Sequence, residues 1–237
     1  MTTIFVEDSK GGVGKSMISC LVLHALLDQK PIFIETDDCN PDVFKIYKKK
    51  LIDIESKNEG EKIDNPIVYD LDTERGWQGV FKKICYLREK NIERPVIVNT
   101  GSRNISAIEK YGILFDGIGD ITTLWPIDNG KECLNLLADF LKIYHQKICV
   151  IKNGFFANEE DFDDFNKSVF NNADNKIPNV FLDRATLGII NGLNNRIPFD
   201  EMGNSLHIVD QILAKAWLEK ASNTIKDAIN SAKVYVM

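Results

Sequence analysis

A short apolar run, TIFVE at residues 3 to 7, leads into SKGGVGKS at residues 9 to 16, and no other feature constrains the fold as tightly. Glycines at 11, 12 and 14, with Val13 between the last two, let backbone N–H groups converge on phosphate oxygens. Lys15 adds a cation over the outer phosphates, and Ser16 places a hydroxyl for Mg²⁺. The helix that begins here turns its positive dipole end toward the anion. A glycine-rich turn that only packs tightly would need neither Lys15 nor Ser16.

Downstream, apolar runs bounded by turn signals alternate with helical patterns, the mark of a parallel sheet covered by helices. Strands are predicted at 3–7, 31–35, 67–70, 95–99, 120–125, 147–152 and 179–183. Helices are predicted at 14–28, 41–52 (with Asn40 as N-cap and Pro41 first), 75–91, 103–115, 130–145 and 159–172. The polar stretch SKNEGEKIDN at 56–65 reads as a surface loop, because a strand follows it at once. The expected fold class is α/β, a doubly wound, mostly parallel sheet with helices on both faces. It forms one domain over 1–237, with C-terminal helices over 205–237 packed on it.

The 237 residues are 44% hydrophobic and 27% charged, ordinary globular composition, with a net charge of −6 that argues against an autonomous polyanion binder. Thr2, Thr3, Glu7 and Asp8 interrupt any N-terminal apolar segment, and no 20-residue apolar span occurs, so the expected location is cytoplasmic. Cys20, Cys39, Cys85, Cys133 and Cys149 form no C-x-x-C pair, and His24, His145 and His207 have no metal-ligand spacing.

The string K-G-G-x-G-K-[ST] at residues 10–16 resembles the deviant Walker A motif of the ParA/MinD family of P-loop ATPases. The resemblance implies ATP and Mg²⁺ as cofactors, a homodimer formed on ATP binding, and Lys10 as the lysine that reaches the partner's phosphates. The family tolerates a non-glycine at the first loop position, where Ser9 stands. Glu35-Thr36-Asp37 matches the D-x-D at the end of the second strand, making Asp37 the residue that positions the attacking water near Mg²⁺. Asp38 and Asp42 read more simply as loop and cap residues.

PVIVNTGSRN takes the place of the Walker B strand, with Asn99 where relatives carry aspartate. An amide can accept a hydrogen bond from Mg²⁺-bound water but brings no charge to offset the metal. A weak ATPase is therefore expected, and Asn99→Asp is expected to strengthen Mg²⁺-dependent hydrolysis. Asn153 matches the asparagine that reads the adenine edge, its plain alternative being a strand-ending turn with Gly154.

Further pieces, IETDDCNPDVFKIYK, VIVNTGS, NGFFANEEDFDDF and NRIPFDE, resemble the TraL-type conjugal-transfer branch in the same order along the chain. That implies a role in plasmid transfer or in DNA partition and stability, with a transfer or partition protein as partner. DNA contact would fall to the run around Lys45, Lys48, Lys49 and Lys50, whose simpler reading is a solvated helix face. Two alternatives share the loop: a MinD-like membrane regulator, which would need a basic amphipathic C-terminal helix, and an ATP-dependent ligase of the dethiobiotin synthase type. The spacing Trp217, Ala221, Ile225, Ala228, Ile229, Ala232 favours core packing and no stable membrane insertion. A nitrogenase-like electron carrier would need two suitably placed cysteines, and Cys85 and Cys133 fall in helical apolar patterns.

Overall fold

The computed structural model describes residues 1–8, 10–37, 39–101, 110–172, 176–205 and 207–235. The readings made above for Ser9 and Asp38, and for most of the helix predicted at 103–115, lie outside the described residues.

Strands β1 (Thr3–Val6), β2 (Ile32–Glu35), β3 (Ile67–Val68), β4 (Val96–Asn99), β5 (Ile121–Ile127), β6 (Lys147–Asn153) and β7 (Asn179–Leu182) form one parallel sheet in the order β3-β2-β4-β1-β5-β6-β7. Helices α1 (Lys15–Ala25), α2 (Asp42–Ser56), α3 (Glu74–Glu89), α4 (Ile113–Ile118), α5 (Lys131–Leu141), α6 (Leu187–Asn194) and α7 (Ile208–Ser231) surround it. β8 (Lys233–Val234) pairs antiparallel with the start of β6.

The central strands are apolar at nearly every position because helices cover both faces. Their two-residue alternation sorts side chains into two cores. Phe5, Ile32, Ile34, Val96 and Val98 pack with Trp77, Val80, Phe81, Phe115 and Phe140 on one face. Ile4, Val6, Phe33 and Ile97 pack with Ile18, Leu21, Val22, Trp217 and Ile225 on the other. Each such side chain contributes roughly 1.5–3 kcal/mol of burial. α1 is buried almost all round, as Ile18, Leu21, Val22 and Leu23 show, because it lies between the sheet and α7.

The predicted strands appear with small shifts, the fifth continuing to Ile127 rather than ending at 125. The helix predicted over 159–172 is instead a 3-10 turn (Glu159–Asp161), one short helix (Asp163–Asn166) and a second 3-10 turn (Val169–Asn171). Inside that span Ser168 restarts the chain, its Oγ accepting from Phe170 N, so one continuous helix does not form. α2 begins at Asp42 with Pro41 as its cap, one residue later than expected, and the Asn40 N–H donates to Asp37 Oδ1 at 2.9 Å. α6 and β8 were not predicted.

Thr73 caps α3: its Oγ1 accepts from Gly76 N at 3.1 Å and donates to Asp70 O at 2.9 Å. Thr73→Ala is expected to lower unfolding stability by about 1 kcal/mol in urea denaturation.

Candidate nucleotide site

The C-terminal ends of β1, β2, β4 and β6 bring four separate stretches together: the loop 10–16, Glu35 to Asp37, Asn99, and Asn153. β1 sits between β4 and β5, so the loop leaves the sheet at its centre, where ligands of doubly wound sheets bind.

Gly12 and Gly14 have φ of +80° and +99°, the left-handed region open to glycine. A Cβ on Gly14 would also lie 2.5 Å from Asn153 Nδ2, so the loop needs glycine there on two counts. Gly11 and Gly12 are exposed, Val13 is buried, and Ser16 is half-buried at the start of α1. This backbone fits a phosphate cradle.

The two lysines of the loop behave differently. Lys15 is buried and its Nζ donates to Lys10 O at 2.6 Å. Burial pushes its ammonium below the usual range, while the charges of Glu7, Asp8 and Asp37 push back. Lys10 instead extends to α5, with Nζ 2.6 Å from Asp128 Oδ2 and 3.2 Å from Glu132 Oε2. The hydrogen bond to Asp128 holds Lys10 above its usual range.

Asp8 was not singled out in the sequence, yet it is fully buried beneath the loop, with Oδ1 accepting from Lys10 N at 2.7 Å. Burial pushes its carboxyl up to about 7. Asp128, also missed, lies just beyond the predicted strand end, in a turn where its Oδ1 accepts from Gly130 N. The Asp-Asn-Gly turn sequence at 128–130 is the signal in the sequence that points to it.

Glu35 is buried and gathers N–H groups: Oε1 accepts from Thr36 N (3.1 Å), Asp37 N (3.2 Å) and Asn99 Nδ2 (2.7 Å), and Oε2 from Phe44 N (3.2 Å). Burial pushes it up to about 7, opposed by these donors. Asp37 is half-buried and close enough to Lys15 to influence its charge. Asn153 is buried, donating to Val13 O at 2.9 Å and accepting from Phe155 N at 3.1 Å. In this arrangement it braces the loop from behind.

Mg²⁺ takes oxygen donors and keeps several from water and phosphate, so one or two protein oxygens suffice. Ser16 and Asp37 supply such oxygens beside Lys15, and the donor set fits. Bound there, the ion would offset phosphate charge.

In the lysine run, Lys50 is ion-paired with Asp200 and Glu201, and Lys45 lies 3.7 Å from Asp42. Lys48 stands over the Phe44 ring, and Lys48 and Lys49 are exposed. Cys133 is buried and donates to Asp128 at 3.1 Å, whereas Cys85 is exposed on α3. Trp217, Ala221, Ile225 and Ala228 of α7 are buried as their spacing predicts. No helix among the described residues is long and apolar enough to cross a membrane.

The sheet order and the strand-to-helix loop give the chain the fold of the ParA/MinD-type P-loop ATPases. Apo McdA from Cyanothece superposes with a TM-score of 0.58 at 19% identity, covering 97% of this chain and 99% of that one. A protein of Borrelia burgdorferi B31 assigned to plasmid partition, bound to AMPPNP, gives 0.56 at 13% identity over 97% and 98%. In sequence the chain is similar to protein MobD of Acidithiobacillus ferrooxidans, 29% identical over 176 residues, 71% of this chain and 70% of MobD. No family model matches the chain.

Proposed function

We propose that this protein is a nucleotide-operated switch that binds Mg²⁺-ATP at residues 10–16, hydrolyses it slowly and dimerises while ATP is bound. The division between the two lysines carries the reading. Lys15 is committed to its own loop, whereas Lys10 is directed away from it onto carboxylates that phosphate oxygens could replace. Gly11, Gly12, Val13, Gly14, Lys15 and Ser16 hold the phosphates, Asp37 orients the attacking water, and Asn153 serves the base side of the loop. Lys10 and Lys15 stabilise charge that develops on the transferred phosphoryl group.

The setting proposed is plasmid transfer or DNA partition, supported by the likeness to MobD and to the Borrelia protein. Within it, the exposed Lys48 and Lys49 are cations of the 45–50 run available to DNA in a dimer. Light scattering is the direct test. The 26.9 kDa chain is expected to double in mass with ATP and Mg²⁺ and to stay monomeric with ADP. An unchanged mass together with ATP-dependent conversion of a small acid would favour the ligase reading instead.

A further inference from the structure

Three buried polar side chains run from β2 into α1 beneath the phosphate loop. Glu35 and Asn99 lie opposite each other in the parallel β2–β4 pair, and both are fully buried. Asn99 Nδ2 donates to Glu35 Oε1 at 2.7 Å, and Asn99 Oδ1 accepts from Ser19 Oγ at 2.7 Å. Ser19, also buried, lies about one helical turn beyond Ser16 on α1. The bonding pattern sets the direction of this relay: three backbone N–H groups already donate to the Glu35 carboxyl, and Asn99 turns its NH₂ toward it and its Oδ1 toward Ser19. Through the N–H groups of Thr36, Asp37 and Phe44, the same carboxylate also holds the segment that carries Asp37.

We infer that Glu35 is a positioning residue of the nucleotide site: it supplies from β2 the buried carboxyl that Asn99 does not provide on β4, and Asn99 links it through Ser19 to the helix bearing Ser16. This inference rests on the nucleotide reading above. It reverses the expectation for Asn99→Asp alone, because a second carboxylate would replace the donor facing Glu35 and set two buried acceptors against each other. Two buried carboxyls side by side must take up a proton between them or leave a like charge uncompensated, and either is strongly destabilising. Exchanging the two ends restores a matched pair. Glutamine at 35 can donate to aspartate at 99, which still accepts from Ser19, although its NH₂ then stands where Oε1 did, so Asp37 N loses that acceptor and Thr36 N keeps only Asn99 O.

The test is a double-mutant cycle of wild type, Glu35→Gln, Asn99→Asp and the double variant. Its readouts are the thermal midpoint of the nucleotide-free protein and the affinity for a fluorescent ADP analogue with and without Mg²⁺. Asn99→Asp is expected to lower the midpoint by about 10 °C, and the double variant to recover at least about half of that loss. Glu35→Gln is expected to reduce the factor by which Mg²⁺ tightens binding by about fivefold, with Mg²⁺-free affinity changed less than about twofold. An Asn99→Asp protein as stable as wild type that binds more tightly with Mg²⁺ would overturn the inference. If Asn99→Asp does not fold, a folded double variant supports the pairing, and an unfolded double variant beside a folded Glu35→Gln overturns it. Failure of wild type to bind the analogue would defeat the nucleotide reading, while the stability cycle would still decide whether the pair is matched.

Discussion

Lys15→Ala is expected to lower ATP affinity by at least about 100-fold, close to 2.7 kcal/mol of binding free energy. Two effects act in the same direction. The variant loses the cation at the start of α1, and it leaves Glu7, Asp8 and Asp37, which now act on that cation, facing an incoming polyanion. The repulsion is strengthened because Glu7 and Asp8 are buried and poorly screened. Titration with a fluorescent ATP analogue measures the loss, and retained micromolar binding by this variant would sink the assignment of the loop. Circular dichroism of the same preparation checks that losing the Nζ contact to Lys10 O has not unfolded the loop and α1.

The second large effect concerns Lys10. In the single chain its ammonium is held by Asp128 and Glu132, so reaching a partner's phosphates requires exchanging carboxylates for phosphate oxygens. Lys10→Ala is therefore expected to keep nucleotide affinity within about threefold of wild type and to abolish the ATP-dependent doubling of mass. Asp128→Asn removes one of the competing carboxylates. A partly exposed pair of this kind is worth about 1 kcal/mol, so dimerisation is expected at roughly fivefold lower protein concentration. Normal dimerisation of Lys10→Ala in light scattering would show that Lys10 is only a loop residue.

The sheet was legible because its strands are short apolar runs with turn residues on either side. TIFVE, PIFIE and PVIVN each became a strand within one or two residues of the expected limits. The helix over 159–172 was misread because its apolar spacing is real, while Ser168 within it offers the backbone a competing bond that periodicity does not register. At the site, loop residues could be read directly from a motif whose chemistry is local. Long-range partners could not: Asp128 meets Lys10 from 118 positions away, and Asn99 meets Ser19 from 80 away. Asn99 stood out as an irregularity in the sequence, but its meaning depends on Glu35 across the strand pair, which only the register reveals.

β7 pairs with β6 only from Val150 onward, and β8 takes up the open stretch at Lys147 and Ile148 on that same side. At the opposite margin, β3 has two residues. Both borders of the sheet are thus short, two residues in β3 and four in β7, and offer a neighbouring strand little to pair with. Self-association of this protein has little to gain from extending the sheet from chain to chain, and a filament built in that way is disfavoured from the outset. Copies that meet would have to do so through side chains.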